Sequence, residues 1–146
     1  MEIIAEFRAN GGKVGGPFQG SDILLLHHTG ARTGTERISP LAFQWVGNSL
    51  AVFASKAGAP THPAWFHNLR ANPLTIVEVG TAEAGTAEPG TAELGTRVIR
   101  VRARLAQPAE RDVIYSRQKQ RNPVFAQYEA AAAPRKIPVI VLDPVK

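Results

Sequence analysis

The sequence predicts a mainly β protein with short helices, built as a small closed or split β-barrel of about six mostly antiparallel strands. Six short apolar segments have the length and spacing of strands, and most are separated by turn residues rather than by long helices. The chain also lacks a Gly-x-Gly-x-x-Gly turn between a strand and a helix, which argues against an α/β dinucleotide-binding fold.

The first three strands are predicted from hydrophobic patterning. Residues 23–26 form a continuous apolar run, which is typical of a buried strand. Residues 39–45 alternate large apolar side chains with small or polar ones, and residues 50–54 are apolar again. Because Gly47 and Asn48 separate these two segments, we expect them to form a β-hairpin.

Three further strands are predicted at residues 75–79, 98–105 and 137–142. Within the second of these, four apolar residues share one face and three arginines share the other. They are Ile99, Val101, Ala103 and Leu105, opposite Arg100, Arg102 and Arg104. We interpret the arginine face as solvated or paired with neighbouring acids, and not as a nucleic-acid surface, because no aromatic residues are interleaved with it.

Two helices are predicted in the first half of the chain. Residues 2–9 would form one, since Ile3, Ile4 and Phe7 then share a face, and it would stop at residues 10–12. The second would be capped by Thr61, have Pro63 in its first turn, place Trp65 and Leu69 on its inward face, and end at residues 72–73.

Two more helices are predicted between the last two strands. Residues 108–120 have the composition of a polar helix. A shorter helix would be capped by Asn122, have Pro123 in its first turn, and end before Pro134.

The length and composition predict a single domain over residues 1–146. The chain has no cysteine, no apolar run of about 20 residues and no basic leader, so we expect a cytoplasmic protein. Residues 80–96 carry three near-identical Gly-Thr-Ala-Glu pentads, which we interpret as a solvated insertion in a hairpin loop. The net charge of +5 favours an anionic partner such as a phosphorylated ligand, a nucleic acid or an acidic lipid surface.

Two glycine-containing basic loops are the strongest functional signal. Residues 29–37 hold Arg32 and Arg37 between turn glycines, and residues 54–58 hold Lys56 in a second small-residue turn. Small residues let backbone N–H groups approach an anion, while arginine and lysine neutralise its charge. The pattern therefore favours a clamp for a multiply anionic ligand, although ordinary hairpin turns with solvated cations would look the same.

The four histidines and the serines give weaker signals. His62 and His67 are five residues apart, which does not place them on one helical face, and His27 and His28 would point to opposite sides of a strand. We therefore predict no metal site. A serine hydrolase is also disfavoured, because no Gly-x-Ser-x-Gly motif occurs.

Five blocks in order resemble the deazaflavin-dependent nitroreductase family of actinobacteria and their relatives. The blocks are Thr29-Gly30 through Arg37, Pro40-Leu41, Ala54-Ser55-Lys56-Ala57-Gly58, Pro63-Ala64-Trp65-Phe66-His67-Asn68-Leu69 and Ala71-Asn72-Pro73. The resemblance implies a split β-barrel that binds coenzyme F-420, an 8-hydroxy-5-deazaflavin with a phosphodiester and a glutamate tail. It also implies hydride transfer to a quinone, an activated alkene or a nitroaromatic compound.

The resemblance further implies a set of cofactor-binding residues. Arg32, Arg37 and Lys56 would hold the phosphate and the tail, helped by Thr33, Gly34 and Asn68. Backbone contacts along the deazaflavin would come from Ile38, Ser39 and Pro40. The groove would be lined by Ser55, Ala57, Ala64 and Trp65.

The chain departs from the family pattern near the hydride-accepting face. Ala31 replaces one basic residue of the first turn, and Ala42, Asn122 and Phe125 stand where several members have tyrosines. Of those phenols only Tyr128 remains, so Ser55 and Tyr128 are the candidate catalytic proton donors.

Several alternatives stay open from the sequence. A sister split-barrel enzyme could use FMN, and a non-catalytic carrier or sensor could bind the same deazaflavin. A basic nucleic-acid module is the remaining rival. The expected partner is a small-molecule electron acceptor, without nucleic acid or a transmembrane segment, and peripheral membrane association is open.

Overall fold

The computed structural model describes Ile4, Phe7 and residues 22–80 and 96–145. Ile4 and Phe7 are helical, as predicted for residues 2–9. The predicted stop of that helix at residues 10–12 and the repeated pentads at residues 81–95 lie outside the described residues.

Six antiparallel strands close into a barrel in the order β1-β2-β3-β6-β5-β4, with β4 pairing back onto β1. They are β1 (Ile23–Thr29), β2 (Glu36–Val46), β3 (Ser49–Phe53), β4 (Leu74–Gly80), β5 (Thr96–Leu105) and β6 (Val139–Pro144). The helices that accompany them are α1 (Ala64–Ala71), α2 (Pro108–Arg121) and α3 (Val124–Ala132), with a short 3-10 turn at Lys56–Gly58. The predicted fold class is confirmed.

The helices begin one or two residues away from their predicted caps. Pro63 is the N-cap of α1, and Pro123 is the N-cap of α3. The prediction that Thr61 and Asn122 would cap these helices was therefore wrong. The fixed φ angle of proline, near −65°, fits the residue just outside a helix as well as its first turn, so the proline alone did not fix the boundary.

The barrel interior is filled from α1. Trp65 and Leu69 are buried on one face of this helix, as predicted, and they join the core cluster that contains Leu24, Leu50 and Val52. Full burial of a leucine or phenylalanine side chain contributes about 1.5–3 kcal/mol. The helix therefore closes one end of the barrel and is held there by its apolar side chains.

The outer face of the barrel is covered by the other helices. Ala51 and Phe53 alternate with the inward residues of β3 and pack against Tyr115 of α2 and Phe125 of α3. Phe7 is fully buried against another outer face of the barrel, next to Ile23 and Leu25. The alternation predicted for the strands thus serves two cores, one inside and one outside the barrel.

The arginine face of β5 is exposed, as predicted. Arg104 donates hydrogen bonds to Glu110 at 2.8 Å and to Asp143 at 2.8 Å. The predicted apolar face is partly solvated, because Leu105 at the end of the strand is 48 % exposed. None of the helices within the described part of the chain is long and apolar enough to cross a membrane.

Gly58 provides a test of how tightly the 3-10 turn packs on α3. Gly47 and Gly58 both have positive φ angles, of 61° and 82°. A Cβ at Gly58 would lie 2.7 Å from the Ala131 Cβ and 3.1 Å from the Tyr128 carbonyl oxygen, whereas one at Gly47 meets nothing within 4 Å.

We expect Gly47→Ala to lower the free energy of unfolding by about 1 kcal/mol through backbone strain alone. Gly58→Ala should cost about 1–3 kcal/mol more, because the helix must shift to relieve the overlap. Urea denaturation of the two variants measures the difference. Equal losses would show that α3 does not press on this turn.

Candidate functional site

The loop between β1 and β2 and the outer side of α1 enclose a cavity of about 520 Å³. Its lining residues are Gly30, Ala31, Arg32, Thr33, Arg37, Ala64, His67 and Asn68. The structure therefore brings together Arg32, Thr33, Arg37, Ala64 and Asn68, which the family resemblance implies for cofactor binding. Gly30, Ala31 and His67 were not predicted as site residues.

The loop keeps its shape through its own backbone. Gly30 donates a hydrogen bond to the Thr35 carbonyl and accepts one from the Gly34 N–H, both at 2.9 Å. Gly34 has a φ of 70°, which glycine adopts without strain. Arg32 and Arg37 are exposed on this loop, so both guanidinium groups are available to an anion that enters the cavity.

A chain of side-chain hydrogen bonds joins the loop to α1 and to the barrel wall. The Ala31 N–H donates to Asn68 Oδ1 at 3.0 Å, so the Asn68 amide donates through Nδ2 to His28 Nδ1 at 2.9 Å. With Nδ1 accepting, a neutral His28 carries its proton on Nε2 and donates to Ser39 Oγ at 2.9 Å. Because Ser39 Oγ accepts this hydrogen bond, the Ser39 hydroxyl hydrogen points away from His28.

The electrostatic surroundings keep His28 neutral. Burial lowers the pKa of His28 below its ordinary value of 6.5, and the positive charges of Arg37 and His27 lower it further. Sequence reasoning considered His28 only as a metal ligand. No pattern in the sequence indicates its contact with Asn68, because the two residues are 40 positions apart.

The second basic loop is held in place by Arg135. The Arg135 guanidinium donates to the carbonyls of Ala54 and Ser55, both at 2.9 Å, and twice to the carbonyl of Ala59, at 2.8 and 3.0 Å. Between these anchors lies Lys56, which is exposed and has a positive φ of 47°. Lys56 Nζ donates to Thr61 Oγ1 at 3.2 Å.

The two candidate proton donors lie on facing elements. Ser55 precedes the 3-10 turn, and Tyr128 lies on α3, whose backbone packs against Gly58 of that turn. The Tyr128 ring is partly buried and contacts the edge of Phe125 at a centroid distance of 5.2 Å. Tyr128 thus has both a packing contact and a position beside the second loop.

The remaining predicted residues lie on β2, in the two basic loops and in the barrel core. Ile38, Ser39 and Pro40 are half-buried on β2 and pair with β1, and Gly34 belongs to the first loop. Trp65 is 7 % exposed and packs in the barrel core. Ala57 lies in the 3-10 turn.

The histidines do not gather into a metal centre within the part of the chain that the structure describes. His27 is hydrogen-bonded to Glu36 at 3.0 Å and to Glu78 at 2.7 Å. Its neighbour His28 contacts the separate set formed by Ser39 and Asn68, as expected for adjacent residues of a strand.

A split-barrel protein with a basic cleft at its first hairpin is the class that this fold and site define. Comparison with known proteins narrows the class. The sequence profile described as F420H(2)-dependent quinone reductase matches residues 2–144, so the chain belongs to that family. The match confirms the resemblance to the deazaflavin-dependent reductases. The family indicates coenzyme F-420 as the cofactor.

Individual relatives agree with this assignment. The F420H(2)-dependent quinone reductase Rv1261c of Mycobacterium tuberculosis is 40% identical over 77 residues, which cover 52% of this chain and 52% of the relative. The chain thus spans about half the length of that relative. Rv3178 of the same organism, provisionally named an F420H(2)-dependent quinone reductase, is 30% identical over 125 residues, covering 83% and 88% of the two chains.

A solved structure supports the same fold. The structure described as F420-H2 dependent reductase FDR-A superposes with a TM-score of 0.66 at 30% identity, covering 83% of this chain and 93% of that one. The expected split-barrel fold is therefore confirmed by an experimental relative.

The neutral His28 predicts how stability depends on pH. Well above pH 6.5 the residue is neutral in both the folded and the unfolded chain, so its contribution is constant. As the pH falls below 6.5, the unfolded chain takes up a proton that the folded protein resists, and the free energy of unfolding decreases. His62, whose pKa is also lowered by burial, contributes in the same direction.

When the pH is lowered from about 7.5 to about 5.5, we expect the free energy of unfolding to decrease less in His28→Gln than in the parent. Glutamine can hydrogen-bond to both neighbours but does not titrate. Urea denaturation at both pH values measures this slope. Exposed His67→Gln is the matched control and should keep the parental slope. An unchanged slope in His28→Gln would contradict the assignment of a buried neutral imidazole.

Proposed function

We propose that this protein is an oxidoreductase that transfers a hydride from reduced coenzyme F-420 to a small apolar acceptor of the quinone type. The proposal depends mainly on one observation: Arg32, Arg37 and Asn68 line the same cavity at the first hairpin. The chain that carries this cavity belongs to the F420H(2)-dependent quinone reductase family.

The residues of this cavity fit the charge of the cofactor. Coenzyme F-420 carries a phosphodiester and several carboxylates, and none of the described lining residues is acidic. Arg32 and Arg37 would hold these anionic groups through charge-assisted hydrogen bonds. Gly34 and Thr33 are small enough to let backbone N–H groups of the loop donate hydrogen bonds to the same anionic groups.

The network behind the cavity keeps the binding residues in place. Asn68 Oδ1 accepts a hydrogen bond from the Ala31 N–H, and Asn68 Nδ2 donates one to His28. These two bonds hold the amide in one orientation, so it supports the loop. Ser39, at the other end of the network, would present its hydroxyl hydrogen to the cofactor edge. The second loop would bring Lys56 to the phosphate, with Arg135 holding the backbone on both sides of it.

The chemistry requires little covalent participation from the protein. When bound, the reduced deazaflavin supplies a hydride from carbon 5, and the protein aligns that atom with an acceptor. A proton donor assists as negative charge develops on the acceptor oxygen. Ser55 and Tyr128 are the proposed donors, because they flank the loop that carries Lys56.

Direct binding separates this function from its rivals. Fluorescence titration with coenzyme F-420 and with FMN should show saturable binding of the deazaflavin and much weaker binding of the flavin. Oxidation of the reduced cofactor by a soluble quinone under anaerobic conditions then distinguishes a reductase from a carrier. Binding without any turnover would favour the carrier.

We place this reaction in the cytoplasm, with peripheral contact to a membrane. An apolar quinone partitions into lipid, and a net charge of +5 favours an anionic surface.

The anion clamp is tested by charge changes on the two loops. We expect Arg37→Glu and Lys56→Ala each to weaken binding of coenzyme F-420 at least tenfold, about 1.4 kcal/mol, because each removes a charge-assisted contact. Arg102→Ala removes an exposed cation on β5 and should bind normally. Parental affinity in both loop variants would place the clamp elsewhere.

The proton donor is tested by removing single hydroxyl groups. Tyr128→Phe keeps the ring contact with Phe125 and should lower quinone turnover severalfold without changing cofactor affinity, if the phenol donates. Ser55→Ala is the parallel variant. Parental turnover in Tyr128→Phe together with a loss in Ser55→Ala would assign the role to Ser55.

A further inference from the structure

A second cavity of about 520 Å³ lies beside the first, and His67 of α1 contributes to both. Its other walls come from the junction of β5 with α2 and from the segment that precedes β6. None of the residues implied for cofactor binding is among the described residues that line this second cavity. The volume is within the range of about 300–1,000 Å³ that is usual for small-molecule sites.

Part of the lining of the second cavity is apolar. Phe66, Leu105, Ile137 and Val139 all line it. Leu105 is 48 % exposed, although it follows the alternation of a buried strand face. An apolar ligand that covered Leu105 would remove this surface from water at about 25 cal/mol per Å².

The lining of the second cavity is also basic. Arg70, Arg111 and Lys136 contribute three cations, and none of the described lining residues is acidic. Asp112, outside the lining, lies 3.1 Å from Arg111 Nη1 and 3.5 Å from Lys136 Nζ, so a ligand carboxylate would share Lys136 with it. The Arg70 guanidinium lies 5.7 Å from the centroid of the Phe66 ring, which also faces the His62 ring at 4.7 Å. Charge and aromatic surface are therefore adjacent.

Arg111 retains unused hydrogen-bonding capacity. It is only 7 % exposed, with Nε donating to the Ile137 carbonyl at 2.9 Å and Nη1 donating to Asp112 at 3.1 Å. Its buried Nη2 has no hydrogen-bond partner among the described residues, and the Glu129 carboxylate oxygen is 3.8 Å away, beyond hydrogen-bond distance. Arg111 therefore adds fixed positive charge to the lining, and its carboxylate neighbours are Asp112 and Glu129.

His62 adds a fixed donor. Its Nδ1 accepts a hydrogen bond from Arg135 Nη1 at 2.9 Å, so a neutral His62 carries its proton on Nε2. Burial and the positive charges around it, Arg135 first among them, lower the pKa of His62 and keep the ring neutral at neutral pH.

We propose that the second cavity is a binding site for a small apolar organic anion, namely a flat aromatic ring that bears a carboxylate. The ring would pack on Phe66 and Leu105, and the carboxylate would pair with Arg70 and Lys136. A single carboxylate on an apolar body matches a lining that combines cations with hydrocarbon. The site is separate from the proposed cofactor cleft and does not depend on the reductase activity.

The test uses 2-naphthoate as the anion and methyl 2-naphthoate as its neutral analogue, measured by calorimetry on the full chain. We expect saturable binding of 2-naphthoate and at least tenfold weaker binding of the ester. Arg70→Ala and Lys136→Ala should each weaken 2-naphthoate binding severalfold, whereas Arg121→Ala, an exposed cation outside the cavity, should not.

Two further variants test the apolar wall without disturbing the fold, because Leu105 is half exposed. Leu105→Glu should abolish 2-naphthoate binding by repulsion, and Leu105→Gln should weaken it less. Affinity for coenzyme F-420 should stay parental in all of these variants. The proposal is overturned by equal affinity for acid and ester, by full binding in the Arg70→Ala/Lys136→Ala double variant, or by competition between 2-naphthoate and coenzyme F-420.

Discussion

The burial of α1 in the end of the barrel is the interaction on which the rest of the structure depends. The helix has only eight residues, and isolated helices of this length are not stable in water. Trp65, Phe66 and Leu69 hold it by joining the barrel core. Once the helix is fixed, its other side chains face outward and form walls of both cavities.

Polar contacts then set the orientation of the loops around this helix. Asn68 is buried and uses both ends of its amide, so a movement of the hairpin loop would break the partly buried hydrogen bond from the Ala31 N–H. Arg135 does the same for the second loop through three backbone carbonyls. Loss of a buried partner costs about 1–3 kcal/mol, which is a large part of the stability of a small domain.

The placement of charge distinguishes the two cavities that we propose as anion-binding sites. Arg32 and Arg37 are exposed and remain hydrated until a ligand arrives, so the fold bears little desolvation cost for them. Arg111 is different, because it is buried against Tyr115 and its Nη2 lacks a hydrogen-bond partner within the described residues. The first cavity therefore has exposed arginines, whereas one arginine of the second cavity is buried.

The sequence by itself determined the six strands, the approximate positions of the helices and the two basic loops. These features are local, since alternation with a period of two and glycine at turns express the preferences of neighbouring residues. The same local reasoning placed the caps of α1 and α3 at Thr61 and Asn122, although the helices begin after Pro63 and Pro123. A proline is compatible with either position, so the tertiary packing decided it.

Only the tertiary structure decided which distant residues meet. Barrel closure pairs β1 with β4, about 50 positions further along the chain, and the same closure region places His28 against Asn68. Arg135 reaches the carbonyl of Ala54 across 81 positions. A periodicity of two or 3.6 residues carries no information at such separations. The hydrogen bonds behind the proposed cofactor cleft, and the second cavity, therefore follow from how the barrel closes, and not from any motif.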